Sequence, residues 1–429
     1  MTGPLKNQRG VALMLVLSAI VLLTTMGVEF AYNTNVSHHL ARNDLDRLRA
    51  YYLAKSAYSF MLLELKFDKT FRQVVQQQNL GQFLGENAQL PLCQQFPMST
   101  GLIRAVFTGG GLPGFGGEEG EAGEAGAPEA EESSELEEMR KRTSFGEEKT
   151  AEEFLSFEGD FDGECSDEST KINLNAFAGL STQAPAGGVS PLEQYKQFLF
   201  RFLSRPQYED LFKAADVRVS DVVTNIADWI DTNTEINPMG GGGGGVELAA
   251  YDRAELSYVP RNGKLITLLE AYLINGVTDD WFAPLMDQFT IYGDGKINVC
   301  TASQEVVEGL IRRYVDDNPG LPPLRLEDPE EMGRLLQAVL DACSSGATGN
   351  QLITELNNAI NGAIGALSPG GTQPTAATTA FGSYVSTDRR FYGLNLAGQV
   401  DDTTVRIRAV VDVKESDPKR WKLLYWRVY

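Results

Sequence analysis

From Val11 to Val28 the chain runs 18 residues without a charged side chain. As a helix this stretch measures about 27 Å, close to the roughly 30 Å hydrocarbon core of a bilayer. Neither Gly nor Pro occurs from Val28 to Leu80, and Val36, Leu40, Leu45, Leu48, Tyr52, Ala57 and Met61 recur at spacings of three to five. The pattern predicts one continuous helix to about Leu65, roughly 80 Å long, apolar all round at first and amphipathic later. Lys6 and Arg9 precede the apolar run and the bulk of the chain follows it. The positive-inside rule then leaves the short leader in the cytoplasm and the main body outside.

Beyond the stalk the period changes several times. "GLIRAVFTG" (101–109) reads as a short strand ending at a Gly-rich turn, and "KINLNAF" (171–177) as a compact strand or turn. Helical patterns follow from Ser190, Asp221, Lys264, Asp280, Thr301, Pro329 and Asn350, several opening on Ser, Asp or Thr or with Pro in the first turn. From Phe391 the period becomes two, and "FYGLNLAGQV", "TTVRIRAVVDV" and "WKLLYWRVY" predict three antiparallel strands. The fold class is α+β. A "KIN" triplet at 171 and again at 296 is too short an echo to establish a repeat.

Charge sharpens this picture. The formal net charge is −21, but 20 acidic and four basic residues lie between Glu118 and Glu168, so that segment carries −16. A stretch so acidic and so poor in apolar residues cannot fold by burial, and it reads as a solubilising surface insertion. No Lys/Arg-rich stripe appears anywhere, which argues against nucleic acid as a ligand. "INVCTA" (297–302) before a helix is similar to a helix-hairpin-helix signature, but Cys300 replaces its second Asn and the basic Gly-rich hairpin is missing. Cys93, Cys165, Cys300 and Cys343 form no CxxC pair; the even count suits two disulfides or scattered buried thiols, with three pairings open.

The most suggestive polar cluster is "ADWIDTNTEINPMGGGGGGVELAAYDR" (227–253). Asp231, Asn233 and Glu235 alternate as in the opening of a calcium loop, and Asp228, Glu247 and Asp252 are placed to fold back on them. Position six is Ile236 and position twelve Gly242, so this is not an EF-hand. Spacing alone favours a solvated loop with Asp231 at a helix end. Gly240–Gly245 lacks the Lys-Ser/Thr of a phosphate cradle and reads as a hinge, and "GDGKIN" (293–298) reads as a tight turn at Asp294. Enzymatic readings fare poorly, because the only histidines, His38 and His39, sit on the stalk.

The leader decides among the roles open to the apolar run. "TTMGVEFAYN" carries no A-x-A site behind it, whereas a basic leader ends in Gly10 directly in front of it. A leader ending in Gly followed by such a helix resembles the type IV pilin and type II secretion pseudopilin signature, which is cut between Gly10 and Val11 by a prepilin peptidase. "RGVALMLVL" (9–17), "INLN" (172–175), "DWID" (228–231), the Tyr258–Asn262 stretch, "INVCTA" and the closing strands together resemble the minor pseudopilin K family of type II secretion.

The resemblance implies a small pilin-like antiparallel sheet carrying a large inserted helical domain. The divisions it implies are a leader at 1–10, a transmembrane and stalk helix at 11–65, and a first pilin-like part at 66–109. The acidic insertion follows at 110–170, the helical domain at 171–380 and the closing strands at 381–429. It also implies a non-enzymatic inner-membrane protein with one crossing and its bulk in the periplasm. Its partners would be minor pseudopilins of types I, J and H, the inner-membrane assembly platform, the prepilin peptidase and secreted cargo. Family members bind calcium near the acidic loop, which carries Asp228, Asp231, Asn233, Glu235, Glu247 and Asp252 forward as candidate ligands. An oxidising periplasm favours disulfides, expected between Cys93 and Cys165 and between Cys300 and Cys343. Most pseudopilins place Glu at the fifth mature position, where this chain has Leu15. A subunit at the tip, with no neighbour above it, needs no carboxylate there. The alternatives are a bitopic periplasmic calcium-dependent binding protein and, more remotely, an envelope hydrolase or a nucleic-acid binder.

Overall fold

The structure, a computed structural model, describes residues 9–78, 90–107, 157–184, 188–240, 244–252, 258–368, 379–387 and 389–429. Residues 1–8, most of the expected leader, and most of the expected acidic insertion (108–156) lie outside the described residues. The first helix, α1 (Arg9–Gln78), has 70 residues and so runs about 105 Å. It extends past the expected end near Leu65 because no Gly or Pro stops it. Gly10 and Val11 lie in its first turn.

The elements that follow are α2 (Leu92–Gln95), β1 (Met98–Ser99), α3 (Thr100–Phe107), β2 (Asp160–Asp167), β3 (Ile172–Asn173), α4 (Pro191–Leu203) and α5 (Glu209–Ala214). Next come α6 (Val219–Ile230), α7 (Leu248–Tyr251), α8 (Asp279–Leu285), β4 (Phe289–Thr290), α9 (Gln304–Asp316), α10 (Pro329–Ser344) and α11 (Gly349–Leu367). The chain closes with β5 (Phe391–Val400), β6 (Thr403–Asp412) and β7 (Lys422–Val428). The main sheet is antiparallel in the order β1-β2-β5-β6-β7, and a short parallel pair joins β3 to β4.

The C-terminal half of α1 lies across this sheet. Ala54, Ala57, Met61 and Leu65 are buried against Phe161, Leu394, Leu396, Ile407 and Ala409, and Ala50 against Val400 and Val405. The buried face is built on small residues and is offset from the stripe of large ones. Leu40, Leu45, Leu48 and Tyr52 of that stripe stay about half exposed. At Gly398 helix and strand meet backbone to backbone: a Cβ there would stand 2.1 Å from Ala50 O and 2.6 Å from Ala54 N.

Strands β2 and β5 pair along their full length, from Asp160 opposite Gln399 to Asp167 opposite Tyr392. Everything between them is therefore one large insertion, a helical domain with its own core around Phe202, Trp281, Phe282, Phe289 and Tyr314. At the neck Asp167 Oδ1 accepts from Ser169 N and Oγ (2.8 and 2.6 Å), and Asp167 Oδ2 accepts from Asn298 Nδ2 (3.2 Å). Both KIN triplets are consumed here: Ile172 opens β3, and Ile297 bridges in parallel to Val385. Disulfides join Cys93 to Cys165 and Cys300 to Cys343. By loop-closure entropy each is worth about 4 kcal/mol against unfolding.

Three local expectations are corrected. Residues 101–107 of the stretch expected as a strand lie in the helix α3, because Thr100 Oγ1 takes Phe161 N (2.7 Å) and Ser99 Oγ accepts from Leu102 N (3.2 Å), ending the strand after two residues; 108 and 109 lie outside the described residues. The segment from Lys264 forms only a 3-10 turn at Leu268–Leu273. The side chain of Asn175 bonds both Leu265 N (2.7 Å) and Leu265 O (3.0 Å), and Glu270 Oε2 accepts from Ile266 N (2.9 Å). These groups are thereby withdrawn from a helical ladder. The acidic insertion also ends earlier than 170. Asp160, Asp162 and Glu164 are exposed while Phe161 and Gly163 are buried, so β2 belongs to the sheet despite its charge.

Gly398→Ala is expected to destabilise the chain by about 2 kcal/mol or more, since neither backbone can retreat. Gly333→Ala, inside α10 with nothing within 4 Å of the added carbon, is expected to leave the chain as stable or more so. Thermal melts of the two variants side by side check both.

Candidate metal centre

Helix α6 ends by delivering two carboxylates to one place. Its period buries Val222, Val223, Ile226, Ala227, Trp229 and Ile230 in the domain core, which turns Asp228 and the capping Asp231 to a common edge. Helix carbonyls present their negative end here, so two acids at a C-terminus are electrostatically misplaced unless a cation joins them. The loop then folds back: Ile236 N donates to Gly245 O (3.0 Å), and Glu247 N donates to Thr234 O (3.3 Å). That small ladder returns Glu247 to the helix end. Oxygens of Asp228, Asp231 and Glu247 all lie within 4.8 Å of one another, and all three residues are buried.

Much of the loop serves to hold these carboxylates. Asp231 Oδ1 accepts from Asn233 N (3.2 Å) and Oδ2 accepts from Asn233 Nδ2 (2.8 Å) and Asn237 Nδ2 (3.2 Å). Asp228 Oδ1 accepts from Asn237 N (3.2 Å). Glu247 differs: it is 3 % exposed, yet neither carboxylate oxygen has a hydrogen-bond partner. Asn262, in a left-handed conformation (φ 47°), donates its amide to Asn233 O, while its Oδ1 is also buried without a partner. Lys196 is the cation whose charge opposes those of Asp228 and Asp231. Its ammonium is engaged with Glu193 Oε2 (2.8 Å) and Asn237 O (2.9 Å).

Of the six ligand candidates, the structure thus brings together Asp228, Asp231 and Glu247. Asn233 orients Asp231, and its own Oδ1 accepts from Glu235 N (2.8 Å). Glu235 and Asp252 are exposed, Glu235 at the bridge to Val246 and Asp252 capping α7. Sequence reasoning passed over Asn262 and Asn237. The signal for Asn262 was an Asn-Gly pair, which favours the left-handed backbone that aims its side chain.

Burial pushes Asp228 and Asp231 up to about 6 and Glu247 up to about 7. Mutual repulsion adds to the rise at Asp228 and Glu247. Three buried carboxylates, two of their oxygens and an amide oxygen unpartnered, fit a hard cation that takes oxygen ligands.

No family model matches the chain, and no curated protein matches it in sequence. The chain is similar to a chain of the crystal structure of the GspK-GspI-GspJ complex from the enterotoxigenic Escherichia coli Type 2 Secretion System. The two are 14% identical with a TM-score of 0.39, the match covering 63% of this chain and 80% of that chain.

The sign of the pH dependence follows from the raised values. Folded carboxylates that hold protons more tightly than unfolded ones stabilise below the ordinary carboxylate range, and that contribution is lost as pH rises through about 6 to 7. The metal-free chain is expected to lose melting temperature as pH rises from about 4 to about 7, the window between the unfolded and folded values of these groups. Added calcium is expected to restore it at pH 7.5 and to do little near pH 5. Glu247→Gln separates ligand from structural acid: it is expected to raise the metal-free melting temperature at pH 7.5 and to abolish the calcium response. A calcium-dependent shift that survives this change would remove Glu247 from the site.

Proposed function

We propose that this chain is a minor pseudopilin of a type II secretion system, a non-enzymatic subunit that initiates or caps the pseudopilus at its tip. The observation that carries the reading is the division of α1. Its first part is apolar all round, with side chains from Leu13 to Phe30 50–76% exposed and a mean hydropathy of 2.1 over a membrane-length window. Its second part is fixed to the sheet through Ala50, Ala54 and Ala57. An exposed apolar helix of this length is stable in a bilayer or among other helices, not in water.

In this reading the prepilin peptidase cuts between Gly10 and Val11, and the run serves first as inner-membrane anchor and then as fibre core. The half-exposed Leu40, Leu45, Leu48 and Tyr52 offer a packing face to the helices of the type I, J and H minor pseudopilins. Leu15 in place of a carboxylate suits a subunit with no neighbour above it. The bulk of the inserted domain supports the same place, since such a head blocks further stacking. The assembly platform then drives growth beneath it and folded cargo is pushed outward. Calcium held by Asp228, Asp231 and Glu247, with Asn262 beside them, would brace the loop that closes the head.

Co-expression with a prepilin peptidase tests the reading. Intact mass and N-terminal sequencing are expected to find a chain that starts at N-methylated Val11. An intact Met1 would favour a bitopic calcium-binding protein instead, and cleavage behind Phe30 a secreted one; either sinks the pseudopilin proposal.

A further inference from the structure

Strand β7 is the open edge of the main sheet: among the described residues no strand pairs with its outer side. Tyr429 exchanges both backbone bonds with Arg406, Arg406 N to Tyr429 O at 2.9 Å and Tyr429 N to Arg406 O at 3.0 Å. By antiparallel alternation the N–H and C=O groups of Val428 and Trp426 then point away from β6. An irregularity at Val410/Val411 interrupts the ladder near Leu424, so the regular stretch is Tyr425–Tyr429. Edge strands are ordinarily guarded by charge, Pro or a covering element. Here Leu423, Leu424, Val428 and Tyr429 are 40–58% exposed.

Beside this edge, on the face away from α1, a groove of about 340 Å³ lies between the last two strands and the inserted domain. Tyr425, Arg427 and Arg408 form one wall, and Leu268, Met286 and Ile291 the other. Arg408 and Arg427 are directly opposed across the ladder, a like-charge pair that destabilises the sheet unless an anion joins it. Among the described residues no carboxylate ion-pairs with either one, whereas neighbouring Arg390 and Arg420 hold Asp412 and Glu415. Glu168 borders the groove, but its oxygens are taken by Lys171 (2.7 Å) and Thr290 (2.6 Å).

We infer that β7 is a docking edge for an extended acidic strand of a different polypeptide. The incoming main chain pairs with Trp426 and Val428. Its Asp or Glu side chains, at alternate positions on the face away from α1, meet Arg408 and Arg427 at the rim of the groove. Charge also selects against a second copy, because edge-to-edge pairing of two β7 strands would bring Lys422 and Arg427 of each toward those of the other.

The test uses the full chain in detergent micelles and two labelled peptides, acetyl-(Val-Glu)5-amide and acetyl-(Val-Lys)5-amide. The acidic peptide is expected to bind about tenfold or more tightly than the basic one at low salt, with the difference shrinking as salt rises. Amide exchange measured by mass spectrometry is expected to slow across Leu423–Val428. Arg408→Glu with Arg427→Glu is expected to invert the preference. Val428→Pro, which removes an outward donor and no bond to β6, is expected to weaken binding about tenfold without lowering the melting temperature. Equal affinity for the two peptides, or unchanged exchange at the edge, overturns the proposal. A dimer in sedimentation that Val428→Pro dissociates overturns it too and assigns the edge to a second copy.

Discussion

Helix α1 touches the sheet without side chains in between where it crosses β5. At Gly398 even one added carbon would overlap the carbonyl of Ala50, and at Gly163 it would press on Met61 at 3.2 Å. Such contact requires small residues on both partners, and the helix supplies Ala50, Ala54 and Ala57, all fully buried. Close approach of two backbones fixes rotation as well as distance, so the helix can be seated in only one azimuth. That azimuth decides which side chains point outward. Large apolar residues on the opposite side are thereby held on the surface, as a rigid consequence of the seat rather than a packing failure.

The same seat sets the base on which the inserted domain stands. Because β2 and β5 pair over their whole length, the neck begins at Asp167 and returns at Arg390, and its stiffness comes from buried polar bonds. Asn298 ties the second KIN element to Asp167 and, through its backbone, to Ser169 O at 2.8 Å. Asn173 and Asn175 do equivalent work inside, reaching Gly293, Leu265 and Ile291. Each is a buried amide whose bonds leave few alternatives for the chain, the situation in which polar groups specify one arrangement. The carboxylate cluster at the end of α6 behaves differently. There the bonds orient the acids and leave Glu247 unpartnered.

What could be read from sequence divides along these lines. The stalk, most of the helices and the three closing strands were legible because each carries its own period. Strand β2 was not, since Asp160, Asp162 and Glu164 gave an alternating strand the composition of a disordered acidic tract. The false helix from Lys264 had an apolar pattern but lost its backbone partners to Asn175, a residue 90 positions away. Likewise spacing selected Asp231, Asn233 and Glu235 as a loop opening, while the fold keeps Asp231, turns Asn233 into its support and leaves Glu235 outside. The Asn-Gly pair marked the backbone turn at Asn262, but not its place beside Glu247, which depends on a chain reversal that no local pattern encodes.

Charge on the sheet face turned away from α1 follows from register alone. Across one row stand Asp162, Ala397 and Arg406, and across the next Glu164, Asn395, Arg408 and Arg427. Acids and arginines are two strands apart, about 10 Å, near the Debye length of physiological salt. At that separation the two rows do little to neutralise each other, and the intervening β5 residues carry no charge. The face therefore presents a negative margin at β2 and a positive one at β6 and β7, although the chain as a whole is strongly acidic. An incoming acidic strand would feel that field before contact and be drawn to the β7 margin rather than the β2 margin, so edge hydrogen bonds supply adhesion while the rows select the edge.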